Sequence, residues 1–86
     1  MTELRSEVAW FARQMEQVLR KHDKKKGGYI GEDPDYLFMR LKQETAELEE
    51  ALKHGENVIG EAIDVANFAM MIAFNYHLKG GQQHGQ

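Results

Sequence analysis

The stretch EAIDVANFAMMIAF, Glu61 to Phe74, decides the fold. Small and apolar residues dominate it, yet Glu61, Asp64 and Asn67 stand among them at a spacing of three. At about 100° per residue, Glu61, Asp64, Phe68, Met71, Ile72 and Asn75 fall on one stripe of a helix, with Ile63, Ala66, Met70, Ala73 and Phe74 on the opposite side. No face is left for water. A helix that is apolar all round has to be covered all round, and one hairpin from an 86-residue chain is too small to do it. Self-association is therefore expected, as a dimer or tetramer whose helices complete a bundle.

The rest of the chain supplies two more helices. Leu4, Val8, Phe11, Met15, Val18 or Leu19, and His22 recur at spacings of three and four, predicting a first helix from about Glu3 to about Asp23. The segment 24–35, KKKGGYIGEDPD, has no helical period and reads as a loop. Asp33 before Pro34 is an N-cap followed by proline at the first helical position; helix two then runs from Pro34 to about His54, ended by Gly55. Helix three restarts at Glu56 or Asn57 and extends to about Lys79, before a tail at 81–86 expected to be disordered. The expectation is an all-α antiparallel bundle of three main helices in one domain, residues 1–80, completed by self-association. Trp10 and the methionines are assigned to the core.

Composition narrows the function. A chain of 86 residues buries only about 60 to 65% of its unfolded surface. The absence of cysteine removes disulfides and thiolate metal sites and fits a reducing, cytoplasmic setting. Charges at Glu3, Arg5 and Glu7 rule out a signal-peptide core there, and the apolar run Phe68–Phe74 is far shorter than the roughly 20 residues that cross a bilayer. No membrane partner is expected. The net charge of −3 argues against a nucleic-acid partner.

On helix two, Leu37, Arg40, Leu41, Glu44, Glu47, Leu48 and Ala51 share one stripe, while Glu49 and Glu50 point to solvent with Lys42 and Lys53. Glu44, Glu47, Glu61 and Asp64 are thus expected to meet inside the bundle, where desolvation and mutual repulsion oppose ionisation. Arg40 neutralises one of the four charges. Oxygen-only ligands select a hard cation, and Mg²⁺ in particular leaves positions for water and phosphate; Mn²⁺ is the possible substitute. A single acid pair at i, i+3 is usually a solvated helix face. Two such pairs, each on an apolar stripe, are harder to explain by solvation.

LKQETAELEEAL (41–52) followed by GEAIDVANFAMMIAF (60–74) resembles the MazG-like all-α nucleoside triphosphate pyrophosphohydrolases, whose signature is E-x-x-E and, a dozen or more residues on, E-x-x-D. Here thirteen residues separate Glu47 from Glu61. The upstream KKKGGYIGEDPDYLFMRL (24–41) is similar to the basic Gly-Gly-aromatic loop of the dATP/dGTP diphosphohydrolase branch, so the resemblance covers about residues 20–76. It implies Mg²⁺ held by Glu44, Glu47, Glu61 and Asp64, with Asn67 nearby. It also implies Glu44 or Glu47 holding the attacking water, and a purine deoxynucleoside triphosphate cleaved to monophosphate and pyrophosphate.

Four residues are candidates for substrate contact: Lys26, Tyr29, Asn67 and Asn75. The lysine run before Gly27 and Gly28 reads as a phosphate clamp or as a solvated turn. Tyr29 reads as a base-stacking ring or as a bundle cap with its hydroxyl outward. Each asparagine reads a base or sugar, or satisfies backbone. Two rival functions remain, a non-enzymatic helical dimerisation module and a phosphoribosyl-ATP pyrophosphatase of the same superfamily. A di-iron bundle is disfavoured, because no glutamate has histidine three residues later.

Overall fold

The computed structural model of the protein describes residues 3–26 and 28–80. The expected tail at 81–86 and the phosphate contact expected of the Lys26 side chain fall outside the described residues. Three α-helices follow one another, α1 (Ser6–Lys26), α2 (Pro34–His54) and α3 (Val58–Leu78), with no strand among the described residues.

The α2 boundaries follow from local chemistry. Asp33 Oδ1 accepts from the Asp35 amide at 3.0 Å, and Pro34 opens the helix, where a missing N–H leaves no bond unmade. At the other end Gly55 adopts φ 68°, and the Gly55 and Glu56 amides both donate to the Ala51 carbonyl. The linker Gly55–Asn57 is so short that α2 and α3 form a helical hairpin, the main packing pair of the chain.

Helix α1 starts three residues later and ends three residues later than its apolar period predicts. Arg5 takes the capping position, its carbonyl accepting from Val8 and Ala9, which leaves Leu4 outside the helix and exposed. The backbone at 24–26 continues the helix, as lysine is a good helix former. Packing of α1 is against α3.

The loop between α1 and α2 is fastened to α3 by one side chain. Asn75, buried, accepts from the Gly31 amide through Oδ1 (3.2 Å) and donates through Nδ2 to the Tyr29 carbonyl (3.0 Å). The Tyr29–Glu32 turn is closed by the Glu32 amide on the Tyr29 carbonyl, and its third residue, Gly31, takes φ 81°, which only glycine adopts freely.

The core is small. Leu37, Phe68 and Met71 form its centre, with Leu19, Tyr29, Leu41, Met70 and Ile72 packed around them; Ala51 and Ile63 are the other buried apolar residues among those described. Trp10 and Met39, assigned to the core from sequence, are exposed, as are Ile59, Phe74 and Leu52. The radius of gyration, 14.2 Å, exceeds the roughly 12 Å of a compact domain of this size. By length and composition α3 also passes for a membrane span, and only 28% of its most apolar window is buried.

Candidate metal centre

Glu44, on the α2 face that meets α3, is only 6% exposed. Its Oε2 accepts from Arg40 Nη2 at 2.9 Å, one helical turn back. The Arg40 guanidinium also lies 4.9 Å from the centre of the Phe68 ring and donates to Gln43, so its position is fixed from three sides. The second oxygen, Glu44 Oε1, is buried with no hydrogen-bond partner. That arrangement is costly unless something positive completes it.

Across the hairpin, Glu61 and Asp64 stand one turn apart on α3, both half-buried. One carboxylate oxygen from each of Glu44, Glu61 and Asp64 lies within 4.8 Å of the other two. Glu61 Oε2 accepts from Asn57 Nδ2 at 3.4 Å, and Glu61 Oε1 is a second buried oxygen with no partner. All three carboxyls are pushed above their ordinary range, with burial the largest cause. The charge of Glu47 adds to the rise in each, and that of Asp64 adds to it in Glu44 and Glu61. Opposing the rise are the Arg40 hydrogen bond at Glu44, the Asn57 hydrogen bond at Glu61, and the fields of His22 and Arg40 at Asp64.

Three of the four acids singled out in the sequence therefore converge. Glu47 is exposed and stands outside the trio, although its charge acts on all three carboxyls. It borders a cleft of about 420 Å³ that also touches Glu50, His54, Asn57 and Glu61. Glu49 and Glu50 face solvent as expected, Glu50 pairing with Lys53 and His54.

A cavity of about 150 Å³ adjoins the trio through Arg40, with Tyr29, Tyr36, His22, Asp23 and Glu32 in its wall. The Tyr29 hydroxyl donates inward to Met70 Sδ (3.7 Å), so of the two readings of this ring the outward-facing cap is not the one adopted. Asn67 donates to the Met15 carbonyl at 3.4 Å and keeps its Oδ1 buried without a partner. Both ends of the Asn75 amide are taken up by the loop.

His22 and Asn57 received no role from the sequence. Signals for both were present: His22 continues the apolar stripe of α1, and Asn57 lies four residues before Glu61, where side chains meet on a helix. No protein-family model, curated protein or solved structure matches the chain.

Proposed function

We propose that the chain is a divalent-cation-dependent nucleotide pyrophosphohydrolase that converts a nucleoside triphosphate, in first place a purine deoxynucleoside triphosphate, to its monophosphate and pyrophosphate. One observation carries the proposal: Glu44, Glu61 and Asp64 converge from two helices and leave two buried carboxylate oxygens without partners. The donor set fits a hard divalent ion. It is all oxygen and charge-rich, drawn from three carboxylates that converge from two helices. Mn²⁺ is the natural substitute.

Glu44, Glu61 and Asp64 would hold the ion. When bound, a divalent ion supplies charge neutralisation for a polyphosphate and Lewis acidity at phosphorus. Arg40 keeps Glu44 oriented by occupying its Oε2. Glu47, exposed beside the trio, is free to take a proton from an attacking water. The cavity between Tyr29 and Arg40 accepts the nucleoside end of the substrate. Asn75 serves this arrangement through the Tyr29 loop that it holds.

Self-association belongs to the same proposal. Ile59 and Phe74 on α3 remain exposed in one chain, and the chain is more open than a compact domain. A second copy covers this face better than a bilayer does, because α3 also carries Glu61, Asp64, Asn67 and Asn75.

The test is incubation with each common nucleoside triphosphate and Mg²⁺, followed by separation of products. Monophosphate with pyrophosphate is the expected outcome; release of orthophosphate, or turnover of none, refutes it.

A further inference from the structure

Asn57 sits at the N-cap of α3 but does not behave as a cap. Asparagine at this position ordinarily has extended backbone angles and accepts from an amide of the first turn through its side-chain oxygen. Here the backbone is left-handed, φ 54° and ψ 32°, and the side chain makes no capping bond. It is the one non-glycine residue with positive φ among those described. Its Nδ2 donates instead to Glu61 Oε2 at 3.4 Å, and Glu61 Oε1 stays buried without a partner.

Gly60 makes this possible. Glycine within a helix is unfavourable relative to alanine, yet a Cβ built on Gly60 would overlap the Asn57 side-chain amide. Two choices that work against the helix thus combine to bring one amide to one carboxylate oxygen.

We infer that Asn57, in the space left by Gly60, is a positioning residue that fixes Glu61 by one oxygen and presents the other to a divalent cation. This inference rests on the cation site proposed above. Hydrogen bonds of this kind orient ligating side chains, and their loss typically lowers metal affinity by about 10- to 100-fold.

The test uses the full chain, Mn²⁺ alone as the probe with free Mn²⁺ read by electron paramagnetic resonance, and thermal midpoints measured in chelator. Asn57→Gly keeps the left-handed backbone at no steric cost and is expected to weaken Mn²⁺ binding about tenfold without lowering the metal-free midpoint. Gly60→Ala is expected to raise that midpoint, since alanine favours the helix, while lowering affinity by a similar factor. The double variant is expected to bind no more weakly than Asn57→Gly alone, because the displaced amide is already gone. Binding by Asn57→Gly within twofold of wild type overturns the inference, as does an added loss when Gly60→Ala is placed on that background. Absence of Mn²⁺ binding by the wild type overturns the cation site itself, and this inference with it.

Discussion

Asp64→Asn is expected to stabilise the metal-free protein at neutral pH and to abolish stabilisation by Mg²⁺. Two unit charges 4.8 Å apart, the outer limit within the trio, repel by about 3.5 kcal/mol at an effective dielectric constant of about 20 and by about 0.9 kcal/mol at that of water. Asp64 is half-buried and feels the attraction of His22 and Arg40, so the relief on neutralising it lies near the lower figure, about 1 kcal/mol. For a domain of this length that raises the thermal midpoint by about 4 to 8 °C.

The pH dependence gives the sign independently. The folded protein holds the Asp64 proton to higher pH than the unfolded chain, so this group's contribution to stability is complete below its ordinary value of 3.8 and is lost as pH rises through the raised value. Glu44 and Glu61 act in the same direction from their ordinary value of 4.5. The gain from Asp64→Asn should accordingly vanish near the ordinary value of 3.8 and grow as pH rises through the raised value. Added Mg²⁺ at 100 times its dissociation constant should stabilise the wild type by about 2.7 kcal/mol, and the variant far less. The assay is calorimetry at fixed protein concentration in chelator and in Mg²⁺. A metal-free midpoint at pH 7 lower for the variant than for the wild type, with an undiminished Mg²⁺ response, would refute the reasoning.

Arg40→Met strips the partner from a nearly buried Glu44 and should cost about 1 to 3 kcal/mol, less than a fully buried pair because Arg40 is partly solvated; adding Glu44→Gln should restore most of the loss in urea titrations. Asn75→Ala removes both fastenings of the α1–α2 loop at a cost of about 1 to 3 kcal/mol, and hydrogen exchange at the Gly31 amide should accelerate. Glu47→Gln should lower turnover while leaving Mn²⁺ affinity within a few-fold, since Glu47 stands outside the trio; equal loss of both would make it a ligand. Phe74→Glu should shift the sedimentation of the protein to that of a single chain.

The parts of the fold legible in the sequence are those set by strong local chemistry. Asp33, Pro34 and Gly55 fix both ends of α2, because a cap, a missing N–H and a left-handed residue each act without tertiary help. The ends of α1 were not legible in the same way. Its apolar period stops before its helix does, and lysines that contribute nothing to the period still prolong the backbone. At the candidate site, the stripe that carries Glu44, Glu61 and Asp64 follows from helical spacing. Glu47 lies at the edge of the Glu44 stripe, about 60° away around the helix, and remains exposed, whereas Leu48 and Ala51, nearer the centre of the stripe, are half-buried and buried. The role of Asn57 depends on a positive φ and on space beside Gly60, neither of which spacing records. The exposed Trp10, Met39, Ile59 and Phe74 reflect the limited core one chain assembles, as the all-round apolar pattern of α3 implies.

The most direct measurement is an anomalous-difference map from crystals grown with Mn²⁺. The account requires a peak between the carboxylates of Glu44, Glu61 and Asp64. A map with no peak there, and those side chains turned apart into solvent, would contradict it.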